Sequence, residues 1–156
     1  MRLLKLCLLG LFLGFEALAT TPTLERAQRA YSQFNEQDMP YFFLHFSADN
    51  QELRKLHRLC GKSKKQENVS SLIGLYNEYG QQALAEVSGT SSPQVLQKLA
   101  ADLDSATQAL NEYLQSAQEL AICSHESYPN YSDGDLQHLV YLNGKPAFLF
   151  GYGRPD

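Results

Sequence analysis

The chain has 156 residues, of which 44% are hydrophobic and 19% charged, with a formal net charge of −4 and no tryptophan. That length and apolar content allow a domain with a real hydrophobic core. Because the charge is mildly acidic, the sequence is not typical of a protein whose main partner is nucleic acid.

Residues 1–19 have the pattern of a secretory signal peptide. Arg2 and Lys5 begin it, an apolar run occupies residues 6–15, and Ala17-Leu18-Ala19 forms a small-x-small cleavage site. A run of about ten residues is too short to cross a bilayer core of roughly 30 Å. We therefore expect cleavage after Ala19 and a periplasmic or secreted chain.

The mature chain, residues 20–156, is predicted to be a single domain. The signal holds two of the 13 Lys/Arg and one of the 17 Asp/Glu residues, so the mature net charge is −5. The mature chain has no second long apolar run, and we therefore expect no membrane span in it.

Two cysteines remain after cleavage, Cys60 and Cys123. In an exported chain the simplest interpretation is one disulfide, which in the chain-entropy model stabilises a loop of about 64 residues by roughly 4 kcal/mol. The alternative is a zinc site made by these two cysteines with His57 and His125. The oxidising compartment favours the disulfide.

Four helices are predicted from apolar residues spaced three and four apart. They span about 23–36, from Asp49 to Cys60, about 68–88, and 93–122. Asp49 with Glu52 suggests a capping box for the second helix, and Gly61 ends it. Between the first two helices, "YFFLHF" at residues 41–46 suits a short buried strand.

The fourth helix has the clearest periodicity, from Leu96 to Leu120. A coiled-coil dimer is one interpretation, but the flanking positions are mostly small or apolar and widen the stripe, which favours packing against two helices of the same chain. Cys60 would then end the second helix and Cys123 would follow the fourth. The disulfide would join two helix C-termini in an up-down-up arrangement.

The C-terminal stretch "LVYLNGKPAFLFGYG" predicts a β-hairpin, because Asn143-Gly144 is a strong signal for a type I′ turn. In continuous register one face carries Leu139, Tyr141, Phe148 and Phe150, and the other Val140, Leu142, Ala147 and Leu149. Both faces are apolar and a lone hairpin is marginal in water. The hairpin therefore either completes the core, with residues 41–46, or leaves one face for a partner.

These elements together predict a mainly α fold. It is an up-down bundle of about four helices with a small antiparallel β element, consisting of the C-terminal hairpin and a possible third strand at 41–46. Residues 124–135 are predicted to be a polar loop between the bundle and the hairpin.

No motif for catalysis is present. The sequence lacks nucleophile elbows, zinc-protease, phosphate-binding and dinucleotide-binding signatures, and its four histidines are scattered. Asn130, Asp133 and Asp135 do not complete a calcium loop and are interpreted as a turn. We therefore expect no cofactor and no enzymatic activity.

The distribution of basic residues is more informative. Arg54, Lys55, Arg58, Lys62, Lys64 and Lys65 lie within twelve positions. A solvated helix face is one explanation, and a surface that steers an acidic partner is the other. On the second interpretation, the candidate partner-binding residues are Lys62, Lys64, Lys65, Tyr128, Tyr131, Tyr152 and Arg154.

The function hypothesis that follows is a non-catalytic protein-binding domain of the bacterial envelope, such as an immunity or inhibitor protein or a secretion accessory protein. It would act as a monomer or homodimer on another envelope or secreted protein with an acidic surface. The alternatives are a small-molecule or lipid carrier with an aromatic-lined cavity and a small hydrolase.

Overall fold

The computed structural model describes residues 21–35, 42–46, 50–126 and 136–152. The helices in these ranges are α1 (Pro22–Asn35), α2 (Gln51–Cys60), α3 (Val69–Val87) and α4 (Pro93–Gln115). The strands are β1 (Phe42–His45), β2 (Lys65–Gln66), β3 (Leu120–Glu126), β4 (Leu136–Leu142) and β5 (Lys145–Tyr152). The predicted signal peptide lies outside the described residues.

The strands form one antiparallel sheet in the order β1-β5-β4-β3-β2, and helices cover both of its faces. Helices α1, α3 and α4 pack on one face, and the shorter α2 packs on the other. The predicted mainly α bundle with a small hairpin is therefore wrong, and the fold is α+β. The prediction failed because β2 and β3 become strands through pairing with distant residues, which local periodicity does not report.

The main core lies between the sheet and helices α1, α3 and α4, and we call it the inner cluster. Its buried members are Tyr31, Phe34, Phe42, Leu44, Leu72, Tyr76, Tyr79, Ala83, Leu99, Leu103, Ala106, Leu110, Leu114, Leu120, Val140, Phe148 and Phe150. The rings pack edge to face, as in the pair Phe42–Tyr76 with centroids 5.1 Å apart. Helices α3 and α4 are in close contact at Gly80, where an added Cβ would lie 2.3 Å from Cδ1 of Leu103.

Helix α4 is shorter than its periodicity predicts. Its apolar stripe packs against α1 and α3 of the same chain, as expected from the wide stripe. However, the helix ends at Gln115 rather than at residue 122, and Leu120 begins β3. Leu120 still fits the spacing of three and four residues because it is buried, but it is buried as a strand residue and not as part of the helix.

The hairpin turn holds the segment between α4 and β3. Asn143 and Gly144 both have positive φ, +52° and +82°, as the predicted turn requires. The side-chain oxygen of Asn143 accepts hydrogen bonds from the backbone N–H of Gln118 at 2.9 Å and of Glu119 at 3.0 Å. The backbone N–H of Asn143 donates to the carbonyl of Glu119 at 2.8 Å. These bonds place the start of β3 beside the end of β4.

The register beyond the turn differs from the prediction. Leu142 pairs with Lys145 as expected, but Val140 lies opposite Phe148 and Leu139 opposite Leu149, which leaves Ala147 as the extra residue of a β-bulge. A shift of one residue exchanges the two faces of a strand. Phe148 and Phe150 therefore join the inner cluster with Val140, while Leu149 lies on the other face with Leu139 and Tyr141.

The expected third strand is confirmed as β1, which pairs with β5. The hydroxyl of Tyr31 on α1 accepts a hydrogen bond from the backbone N–H of Leu44 at 3.0 Å. Both faces of the hairpin are thus covered by the chain's own helices, and its neighbours in the sheet are β1 and β3. It completes the core.

Candidate functional site

Helix α2 packs on the outer face of the sheet and carries three of the six basic residues, Arg54, Lys55 and Arg58. Its N-cap is Asn50, rather than the predicted Asp49, and the Asn50 side chain accepts a hydrogen bond from the N–H of Leu53 at 3.1 Å. Gly61 ends the helix as predicted, with φ +49°. The side chains that face the sheet are Leu53, Leu56 and Cys60, each 2% exposed.

The apolar contacts of α2 form a second, smaller core, which we call the outer cluster. It consists of Leu53, Leu56, Cys60, Cys123, Leu139, Tyr141 and Leu149. The predicted disulfide Cys60–Cys123 is present, with a Cα–Cα distance of 6.1 Å. It does not join two helix ends as predicted: Cys123 lies in β3, so the bridge fastens the last residue of α2 to the sheet.

Tyr141 on β4 organises the segment that follows α2. Its hydroxyl lies 2.8 Å from Nδ1 of His57, and Nζ of Lys64 lies 4.5 Å from the centre of its ring. One residue later, Lys65 pairs with Ile122 in the sheet through β2. Because Tyr141 is only 1% exposed, the contacts of His57 and Lys64 are made to a buried residue of the sheet.

The outward side of the layer formed by α2 and the residues after it carries the side chains of the basic segment. We define the basic surface as Arg54, Lys55, Arg58, Leu59, Lys62, Lys64 and Lys65. Its cationic side chains are exposed except for Lys55, which is half-buried. Leu59, spaced four residues from Lys55 and three from Lys62, is 53% exposed and is the one exposed large hydrophobic side chain among the described residues.

The charge of the chain is strongly asymmetric. The segment from Arg54 to Lys65 carries six basic and no acidic residues, whereas the rest of residues 20–156 carries five basic and 16 acidic residues, a net charge of −11. Two ion pairs, Arg26–Glu112 and Lys98–Asp102, lie on helices α1 and α4, on the other side of the sheet. The basic surface therefore concentrates positive charge on a chain that is otherwise acidic.

The structure brings together some of the residues predicted to bind a partner. Lys62, Lys64 and Lys65 lie on the basic surface, directly after α2. Tyr152 instead ends β5 and is half-buried, with its ring centre 6.1 Å from that of Tyr79 in the inner cluster. Tyr128, Tyr131 and Arg154 lie outside the described residues.

The alternative zinc set does not assemble in the described part of the chain. The sulfurs of Cys60 and Cys123 are bonded to each other, His57 contacts Tyr141, and His125 is exposed on β3. Within the described ranges no group of three His, Cys, Asp or Glu side chains is arranged to hold a metal ion.

A second polar constellation was not foreseen from the sequence. His138 on β4 is 4% exposed, and its ring nitrogens contact two hydroxyls: Nε2 lies 2.7 Å from the Tyr79 hydroxyl, and Nδ1 lies 2.7 Å from Oγ of Ser124. Ser124 and His138 are partners across β3 and β4. They meet only because of the strand register, so no local sequence signal would have revealed them.

A serine hydroxyl next to a histidine is also the core of many hydrolase sites, so its electrostatics matter. Burial lowers the pKa of His138 to about 4, and burial raises the pKa of Tyr79 to about 12, with a further increase from Glu78. His138 is thus a weak base at neutral pH, and its second partner is a neutral hydroxyl instead of a carboxylate. His138 is therefore a buried histidine whose two ring nitrogens both have hydrogen-bonding partners, and it joins α3 to the sheet.

Comparison with protein-family models, curated proteins and solved structures finds no match to this chain. Within the described residues, none of the helices is both long enough and apolar enough to cross a membrane.

Proposed function

We propose that the protein is a non-catalytic binding domain that holds an acidic protein partner on its basic surface. The observation that carries this proposal is the positively charged layer formed by α2 and the residues after it, with Leu59 exposed beside the charged side chains. An exposed apolar side chain next to charged ones is a common composition of a protein–protein contact, in which the apolar side chain contributes affinity and the charges contribute steering.

The charge of the remaining surface favours a protein over other anionic partners. A nucleic acid or an anionic bilayer extends well beyond a seven-residue patch, and it would repel the net charge of −11 on the rest of the mature chain. A folded protein with a local acidic region can contact the basic surface without contacting the acidic remainder of the chain. We infer a partner with an acidic rim around an apolar pocket that accepts Leu59.

The setting follows from the predicted signal peptide. An exported chain of this kind would act in the bacterial envelope or outside the cell, as an immunity or inhibitor protein or as a secretion accessory protein. In each of these roles binding is the function, and a rigid surface reduces the entropy lost on association. The disulfide and Tyr141 provide that rigidity here.

The carrier and hydrolase alternatives receive less support from the described residues. The aromatic rings between helices and sheet contact one another, as in Tyr76–Phe150 with centroids 6.1 Å apart, and so occupy the space that a carried ligand would need. The open grooves along the described helices are lined by polar side chains such as Gln108, Asn111 and Gln115. For the hydrolase, the weak basicity of His138 is unfavourable.

The test compares two variants with the same change in charge. Residues 20–156 are immobilised and exposed to envelope extract of the producing bacterium, and the retained protein is purified for kinetic measurement. Arg58→Glu with Lys62→Glu reverses two charges on the basic surface. Arg29→Glu with Lys145→Glu reverses two exposed charges elsewhere.

We expect the basic-surface variant to slow association by about tenfold or more at low salt, and the control variant to associate at a rate close to wild type. Leu59→Ala should mainly accelerate dissociation. Equal effects of the two charge variants, an association rate independent of salt, or retention of nucleic acid or anionic vesicles in place of a protein would contradict the proposal.

A further inference from the structure

The basic surface belongs to a layer that is structurally separate from the main core. The inner cluster lies on one face of the sheet and unites α1, α3 and α4, whereas the outer cluster lies on the other face and contains α2 as its single helix. The two clusters share the sheet but no side chain. Loss of α2 from its place would therefore leave every contact between the helices of the inner cluster intact.

Few contacts hold α2 in place among the described residues. It has ten residues, fewer than an isolated helix needs to be stable in water, so it depends on its attachment to the sheet. That attachment includes the buried side chains Leu53 and Leu56, the contact between His57 and Tyr141, and the disulfide at Cys60. The disulfide is the one covalent component, and it lies at the end of the helix that leads into the lysine-rich segment.

We propose that the Cys60–Cys123 disulfide acts as a latch for the basic surface: in the oxidised protein α2 is fixed to the sheet, and in the reduced protein α2 detaches while the inner cluster stays folded. Partner binding through the basic surface would then require the oxidised form. This last clause rests on the proposed function, whereas the detachment of α2 does not.

The redox step is an ordinary thiol–disulfide exchange. A dithiol reductant transfers two electrons and two protons, the Cys60–Cys123 bond breaks to give two thiols, and the reductant closes to its own disulfide. Cys60 is 2% exposed and Cys123 is 6% exposed, so a thiolate cannot reach either sulfur while α2 is in place. Reduction must therefore follow a transient detachment of α2 from the sheet. The rate of reduction then reports how often α2 detaches.

Detachment is tested by hydrogen–deuterium exchange on the whole mature chain, without a partner. The bridge is removed in two ways, by a dithiol reductant and by Cys60→Ala with Cys123→Ala, which keeps small apolar side chains at both positions. We expect amides of residues 51–60 to exchange at least about tenfold faster, while those of 93–115 change by less than about twofold. Leu99→Ala, a deletion in the inner cluster with the bridge intact, should instead accelerate exchange in 93–115.

Two results would overturn the proposal. Parallel acceleration in 51–60 and 93–115 would show that the bridge stabilises the whole fold, and unchanged exchange in 51–60 would show that the apolar contacts hold α2 without it. The binding clause is measured separately, with the protein retained from envelope extract. Weaker binding by the bridge-free protein supports the clause, and unchanged binding overturns it. If no protein is retained, the proposed function fails while the exchange result still stands.

Discussion

The hydroxyl of Tyr141 lies 2.8 Å from Nδ1 of His57, which joins the centre of the sheet to the solvent-facing layer. Tyr141 is buried and His57 is exposed, so the bond spans the boundary between core and surface. The same ring supports Lys64. One buried side chain thus contacts both a residue of α2 and a lysine of the basic surface.

Substitutions at Tyr141 should separate these contributions. Tyr141→Phe removes the hydrogen bond alone and should lower the free energy of unfolding by about 1 kcal/mol. Tyr141→Leu also removes the aromatic face under Lys64 and part of the outer cluster, and should cost more, about 2 kcal/mol. Urea denaturation measures both values. Equal losses for the two variants would show that the ring makes no contribution beyond its hydroxyl.

The buried histidine gives a pH dependence whose sign is defined. The pKa of His138 is lowered to about 4 in the folded protein, against about 6.5 in an unfolded chain. The unfolded chain therefore binds the proton more tightly, and stability present above pH 6.5 is lost as the pH falls toward 4. The loss from this group should reach about 3 kcal/mol.

Urea denaturation at several pH values between 7 and 4 tests this, with two histidine variants. His138→Phe should be less stable than wild type at pH 7, because the hydroxyls of Tyr79 and Ser124 lose their partner. Between pH 7 and 4.5 its free energy of unfolding should nevertheless fall by about 2 kcal/mol less than that of the wild type. His125→Gln, at an exposed position of β3, is the control for replacing a histidine elsewhere in the sheet. A wild-type dependence in His138→Phe would contradict the prediction.

The close approach of α3 and α4 can be tested with a pair of glycines in one helix. Gly80→Ala would place a Cβ 2.3 Å from Cδ1 of Leu103, and we expect a loss of about 1–3 kcal/mol from overpacking. Gly74 lies in the same helix, with nothing within 4 Å of an added Cβ. Gly74→Ala should therefore stabilise the protein by about 0.5–1 kcal/mol. Thermal unfolding of the two variants should show shifts of opposite sign.

The turn residue Asn143 has two roles that substitutions can separate. Asn143→Gly keeps the positive φ but removes the oxygen that accepts from Gln118 and Glu119, and should cost about 1 kcal/mol. Asn143→Asp keeps an acceptor and tolerates the same φ, so its stability should lie closer to wild type. Chemical denaturation provides the comparison. If the glycine variant were as stable as wild type, the bonds to Gln118 and Glu119 would be irrelevant to stability.

Helix periodicity predicted which side chains of α2 face inward, and cysteine usage predicted the disulfide. Leu53, Leu56 and Cys60 face inward as their spacing predicts, and Cys60 pairs with Cys123. Gly61 ends α2, and Asn143-Gly144 forms the predicted turn. In each case the signal is local or covalent: a repeat of side chains, a residue that tolerates positive φ, or the two cysteines left in the predicted mature chain.

Properties that depend on strand pairing were not predictable in the same way. Leu120 satisfies the helical repeat of α4 and yet begins β3, because pairing with Leu142 places it in the sheet. The bulge at Ala147 exchanges the faces of β5. The neighbouring Pro146 is a residue type that sheets place at bulges, but it does not by itself fix which residue is the extra one. The contact between Ser124 and His138 depends on the same register.

The sequence by itself determined the helical faces, the covalent bridge, the hairpin turn and the concentration of positive charge between Arg54 and Lys65. Only the tertiary structure decided that the described strands pair into one five-stranded sheet, that α2 packs on the face opposite α1, α3 and α4, and that the bridge fastens this helix to β3. The physical reason is the range of the interactions. Helix repeats and turns arise between residues a few positions apart, whereas the sheet is selected by hydrogen bonds and buried contacts between residues far apart in the chain.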